Sequence, residues 1–339
     1  MLKDSIWDYL LLIMMVTLIS SCNTSEDEEE LLGNWVKLGA FEGIPRSDGV
    51  SFVIGNYAYV GLGYNGEEDE RLRDFWKYDP EKDYWTQIDS FPGIGRNSAV
   101  AFSIGNKGYV GTGFDGEDKL KDFYEYDPAT DSWKRISDFG GTARIGAVAF
   151  SLGEYGYVGT GYDGNILKDF WKYDPTTDNW NSVTSIGGSK RRDGVAFVIG
   201  NKAYVCMGID NGAYVKDFWE YDPELNSWSK LRDIANISDE SYDDDYAIIG
   251  FYAVAFNMGN LGYITTGGAG SVGTKTWEYN PVSDLWVERT NFEGSARFDA
   301  VAFTINDQGY VATGRSSGYY FDDVWTFYPS KEQEDSDNY

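Results

Sequence analysis

Residues 144–180 read RIGAVAFSLGEYGYVGTGYDGNILKDFWKYDPTTDNW, and this stretch decides the architecture. It divides into four short strand signals. The first is AVAFSL, whose small residues allow close packing around an axis. A turn centred on Gly153 follows, then GYVGTG, then DFWKYD. An Asp-Pro-x-x-Asp turn, with Pro presetting the first central position, leads to a fourth strand beginning at Trp180. The unit recurs: its VAF or VSF segment returns at Val50, Val100, Val148, Val195, Val254 and Val301, in steps of 50, 48, 47, 59 and 47 residues. Strand-rich units at a period near 50 predict a propeller array.

The other landmarks keep step. The second strand carries Tyr59, Tyr109, Tyr157, Tyr204, Tyr263 and Tyr310. The third carries Trp76, Tyr124, Trp171, Trp219, Trp277 and Trp325, and the fourth Trp85, Trp133, Trp180, Trp228 and Trp286. The sixth copy stops at Phe327-Tyr328-Pro329 without a fourth strand. The missing piece lies at the other end, where Asn34-Trp35-Val36-Lys37-Leu38 matches Ser132-Trp133-Lys134-Arg135-Ile136. The reading is therefore all-β: six blades of four antiparallel strands, the last completed by the N-terminal strand so that few edges stay open. The propeller spans 32–330, with blades starting near 46, 96, 144, 191, 250 and 297, and an acidic tail at 331–339.

Composition narrows function. The chain has 339 residues, 28 basic and 55 acidic, for a net charge of -27. Nucleic acid is excluded as a partner, because phosphates reward clustered Lys and Arg. There is no His, which removes His-based triads and His-ligated zinc or copper. Two cysteines, Cys22 and Cys206, cannot build a disulfide framework or a multi-Cys metal site. Neither a metal nor a cofactor is expected, and the propeller is expected to be a monomer. Cys206 occupies a small-residue slot in a strand and reads as a buried thiol. The acidic insertion SDESYDDDYA at 238–247 lacks EF-hand spacing and reads as a solvated loop.

The first residues read as an address. YLLLIMMVTLI at 9–19 is too short to span a bilayer comfortably and fits a leader's apolar region. It ends LISSC, which resembles the lipobox of bacterial lipoproteins, although Asp4 and Asp8 outweigh Lys3 where such leaders are basic. The resemblance implies cleavage after residue 21, lipid attachment at Cys22 and an acidic tether over 22–31. Asn23 at the following position and the acidic run behind it imply the outer membrane, with surface exposure as one outcome. Acyl chains suffice for anchoring.

The repeat resembles the Kelch family, in which an apolar strand ends in a Gly pair, followed by a Tyr and then a Trp. Here the pair is Gly-x-Gly at Gly61/Gly63, Gly111/Gly113 and Gly159/Gly161, and Tyr173 to Trp180 keeps the family spacing. The resemblance covers residues 32–329.

Two loop sets alternate along each unit. The turns between first and second and between third and fourth strands are short and uniform. The others vary in length, as in NGEEDERLR at 65–73, so ligand binding is expected on their face. An Arg stands four residues before five of the six landmark Val residues: Arg46, Arg96, Arg144, Arg191 and Arg297, with Gly250 in the fifth copy. These are expected to ring the channel mouth. There they either bind an anionic ligand or pair with Asp74, Asp122, Asp169, Asp217 and Asp323 at the head of the third strand. Resemblance to Kelch domains that bind acidic peptides through such Arg residues implies the former, whereas repeated charges usually satisfy repeated carboxylate partners, which weighs toward the latter. Tyr64, Phe114 and Tyr162 stand next to them as candidate stacking rings. No catalytic residues stand out. The expected activity is binding of a protein, peptide or glycan, possible anions included. The alternatives are a carbohydrate-active enzyme similar to Kelch-type sialic-acid mutarotases, and a purely structural envelope component. A copper oxidase of the galactose-oxidase type is excluded by the missing His.

Overall fold

The computed structural model describes residues 31–338. The leader, Cys22 and the acidic run 23–30 lie outside the described residues. Six four-stranded antiparallel sheets follow one another, and we letter their strands a to d from the axis outward. In blade three these are Val148–Leu152, Tyr155–Gly159, Phe170–Asp174 and Asn179–Val183. Three short extra hairpins rise from the b–c loops of blades one, four and six: Tyr64–Asn65 with Glu70–Arg71, Ile209–Asp210 with Ala213–Tyr214, and Arg315–Ser316 with Tyr319–Tyr320.

Every strand a shows the same alternation of buried and half-buried residues. The period of two sends one set between blades and the other toward the axis. The axial set is small, with Ser51, Ala101, Ala149, Ala196, Ala255 and Ala302 forming one tier around a cavity of about 200 Å³. The blade-facing set carries the aromatic core. Phe52 stacks on Tyr59 at 5.0 Å, and the pair recurs in each blade, as at Phe102–Tyr109 and Phe150–Tyr157, both 5.3 Å. The neighbouring blade must approach that Phe closely. A Cβ on Gly108 would lie 2.2 Å from Phe52, which is why that place in strand b takes Gly or Ala.

A second repeated device joins the outer edges. In blades one to five the strand-c Tyr donates its hydroxyl to an Asp or Asn in the c–d turn, as Tyr78 does to Asp83 and Tyr126 to Asp131. That same residue accepts the backbone N–H that follows strand d of the preceding blade: Gly39 to Asp83, Asp89 to Asp131, Ser137 to Asp178, Thr184 to Asn226, and Arg232 to Asp284. One side chain thus pins its own turn and the edge of the preceding blade, at about 1 kcal/mol net per bond.

Blade six closes as the repeat predicts. Asn34–Lys37 pairs antiparallel with Val324–Tyr328, placing Trp35 opposite Phe327 and Lys37 opposite Trp325. Trp35 is fully buried, stacked on Phe327 at 4.6 Å and edge-on to Phe292 at 4.9 Å. With the chain broken there is no c–d turn, so the seam uses other groups. Thr290 donates its N–H to the Leu32 carbonyl. Residues 331–338 of the acidic tail return along the closing strand. Asn34 donates to Asp337, the Glu334 N–H donates to Asn34, and Asn338 reaches Glu293, which also accepts the Trp35 N–H.

The insertion at 238–247 keeps Asp239, Glu240, Asp244 and Asp245 exposed, as a solvated loop does, but it is anchored at two points. Tyr246 is buried and accepts the Trp286 N–H, while Asp243 is buried and accepts the N–H groups of Ile237 and Ser238. Two aromatic anchors among the acids, Tyr242 and Tyr246, pull the loop onto blades four and five.

Candidate functional site

The five landmark Arg side chains turn into their own blades, and this corrects their expected place at the channel mouth. All five are fully buried. Arg96 is representative. Its Nε donates to the Ile94 carbonyl, Nη1 to the Thr112 carbonyl, and Nη1 and Nη2 to both oxygens of Asp122 at 2.6 and 2.9 Å. Arg46–Asp74, Arg144–Asp169 and Arg297–Asp323 repeat this two-pronged pair, and Arg191 binds Asp217. A Phe ring covers four of the guanidiniums, as Phe91 does Arg96 at 4.9 Å. Burial works against the charge on these Asp residues. The guanidinium's bonds and charge outweigh it, holding Asp74, Asp122, Asp169 and Asp323 below the usual carboxylate range. The Arg carbonyls staple blades together: Gly63 N–H donates to Arg96, Gly113 to Arg144, and Gly314 to Arg46 across the closing seam. The guanidiniums are thus occupied within the scaffold.

Two residues beyond each landmark Arg, or Gly250, the chain reaches the axis. Asp48, Ser98, Gly146, Asp193, Tyr252 and Asp299 all have positive φ, between 52° and 59°. For Tyr252 that is a costly conformation, repaid by its surroundings. Each donates its N–H to the carbonyl of its equivalent in the neighbouring blade, from Asp48 to Asp299 at 2.9 Å round to Asp299 to Tyr252 at 3.1 Å. Six residues from six blades thereby form one closed hydrogen-bonded hoop at the mouth.

The hoop carries three carboxylates, from blades one, four and six, the blades with raised hairpins. Each has a cationic neighbour. Arg315 holds Asp299 at 2.9 Å, and Arg192 holds Asp193. Asn97 donates to Asp48 while accepting from Arg71 Nε at 3.0 Å. The side chains of Asp193 and Asp299 are 8% and 2% exposed. Burial pushes Asp48 and Asp299 up, and neighbouring carboxylates push Asp299 further. Asp193 rises to about 7, chiefly through burial and against the pull of Arg192. Asp193 can therefore exchange its proton near neutrality, while burial shifts Asp48 and Asp299 in the same direction.

Aromatic rings surround the hoop. Tyr64, Phe114 and Tyr162 sit half-buried at the mouth, where the sequence places them. Tyr64 and Phe114 flank the Arg71 guanidinium at 5.2 and 5.1 Å, and Lys119 lies over Tyr162 at 5.2 Å. On the other side Phe251 stacks on Phe298 at 5.9 Å, and Tyr252 packs against both. The structure thus joins the predicted rings to six residues that sequence reasoning missed: Asp48, Asp193, Asp299, Arg71, Arg192 and Arg315. Their signal was present as variation, since the hoop position changes in every copy save for its three Asp. Cys206 is fully buried, and burial pushes its thiol up, away from reactivity.

A family model described as the KLHDC2/KLHL20/DRC7 Kelch-repeats domain matches residues 34–193, and one described as the Kelch motif matches residues 190–233. A solved structure titled "Structure of YjhT" is similar at 18% identity and a TM-score of 0.70, covering 85% of this chain and 96% of that one, a likeness of fold. No curated protein matches the sequence.

Proposed function

The chain is a Kelch-repeat β-propeller, and we propose that it serves as a binding module whose ligand is a hydroxyl-rich carbohydrate seated on the channel mouth. One observation carries this reading. In a scaffold whose other landmarks repeat, three protonatable carboxylates, three guanidiniums and opposed aromatic rings converge on one hoop. Sugars need this combination, with polar forks for hydroxyls and ring faces for C–H surfaces. The ion pairs are already formed, so the mouth offers bonds without a large excess of either charge. The lipobox-like leader supports a lipid-anchored place in the cell envelope, in the outer membrane. A glycan and peptide array probed with residues 22–339 carrying Cys22→Ser tests the proposal. Sugar binding lost in Asp299→Asn and Arg315→Gln, without turnover, supports it; binding of peptides alone refutes it.

A second reading, sugar isomerisation by proton transfer, is favoured by Asp193, whose pKa near 7 suits an acid–base group. Turnover of a bound sugar, abolished by Asp193→Asn, would establish it.

A further inference from the structure

We propose that the outer part of the same face, over blades one and two, is a docking surface for an acidic, leucine-bearing peptide segment of a partner protein, independent of the mouth. The strand-c Asp that binds each buried Arg is preceded by a cation in four consecutive blades: Arg73, Lys121, Lys168 and Lys216. All four are exposed, and none has a carboxylate partner among the described residues. Blades five and six break the series with Thr274 and Asp322, so the charge forms an arc rather than a full circle. In a chain of net charge -27 this is a local reversal of sign.

At blade two the arc deepens into a groove of about 610 Å³. Arg73, Lys119, Lys121 and Arg135 line it. Of its two carboxylates, Asp122 is held by Arg96 and Asp138 by Arg135; Lys119 is engaged over Tyr162, which leaves Arg73 and Lys121 uncompensated. An unpaired cation set attracts and orients an anionic partner.

Apolar side chains alternate with these charges. Ile44 and Ile94, in the links entering blades one and two, are 43% and 59% exposed. Their carbonyls accept the Nε–H of the buried Arg46 and Arg96, so the scaffold fixes the backbone from which each side chain projects. The link is also held tightly, because a Cβ on Gly95 would meet the Arg71 carbonyl at 2.1 Å. Ile94 shares the groove lining with Arg73 and Lys121, and Ile44 holds the equivalent place one repeat earlier. A polysaccharide has charges but no aliphatic side chain to cover two exposed isoleucines; a peptide alternating acidic and aliphatic residues matches both.

The test uses the full chain in mild detergent and fluorescence anisotropy with a labelled peptide of alternating glutamate and leucine. Saturable binding that weakens with salt is expected. Arg73→Glu with Lys121→Glu should reduce affinity by on the order of ten-fold or more. Ile94→Ser should reduce it several-fold, with the surface variants keeping the wild-type melting temperature, and Asp299→Asn at the mouth, assayed below its own thermal transition, should leave it unchanged. A lysine–leucine peptide should not bind. No saturable binding, or binding indifferent to the charge reversal, overturns the proposal. So does polygalacturonate displacing the peptide with an affinity that ignores Ile94→Ser, which would make the surface a polyanion site.

Discussion

Replacing Arg96 with methionine separates a scaffold role from a ligand-binding one. The side chain is fully buried and bonds the Ile94 carbonyl, the Thr112 carbonyl and both oxygens of Asp122. Arg96→Met leaves two carbonyls without their donor and one carboxylate without its counter-charge. Breaking a buried pair in this way costs roughly 3–5 kcal/mol. Asp122 is 20% exposed and rehydrates in part, which favours the lower end. At about 2 °C per kcal/mol for a domain of this size, the melting temperature should fall by roughly 6–10 °C in calorimetry. Adding Asp122→Leu should recover part of the loss, since replacing both partners with apolar groups removes the stranded charge. Sugar binding at the mouth should persist below the transition. An Arg96→Met protein that melts with the wild type yet no longer binds would refute the reasoning and restore the guanidinium to the ligand. The pair also sets an acid limit. Asp122 is held below its ordinary value in the fold, so its contribution is complete above the unfolded pKa and is lost as pH falls through the folded one.

The mouth predicts the opposite slope: Asp193 titrates near 7 in the fold, so between its unfolded value and about 7 its contribution to stability declines as pH rises. Asp193→Asn should flatten that part of a urea-midpoint profile; an unchanged slope would show the carboxylate is not shifted. At the outer edge, Asp131→Ala removes the acceptor for Tyr126 and for the Asp89 N–H and should cost about 1–3 kcal/mol in urea unfolding. In blade six, Trp35→Ala should cost about 3–5 kcal/mol, and deletion of 32–38 should leave soluble protein without a cooperative thermal transition.

The blade count, strand order and closure were legible because each landmark residue answers to the same local environment six times. Repetition made Trp35 recognisable as the missing partner of blade six from its match to Trp133. The same logic hid the mouth. Asp48, Ser98, Gly146, Asp193, Tyr252 and Asp299 share a backbone conformation but not a side chain, so aligning the copies averages their chemistry away. Their proximity follows only from the six-fold geometry, which brings positions roughly 50 residues apart onto one axis. The landmark Arg residues were legible in their partners but not in their direction. Their Asp partners were identifiable, but whether a guanidinium faces the channel or its own blade depends on the rotation of strand a, which the sequence pattern does not specify.

Because Asn34–Lys37 lies against Val324–Tyr328, the earliest-made strand of the propeller waits for the last-made one. An emerging chain can build blades one to five in turn as synthesis proceeds. Throughout that interval the Trp35 indole has no stacking partner, and the outer edge of blade six does not exist. Biogenesis therefore ends in a single clasping step, and a ribosome that stops short of Phe327 releases a ring with a gap rather than a smaller working version.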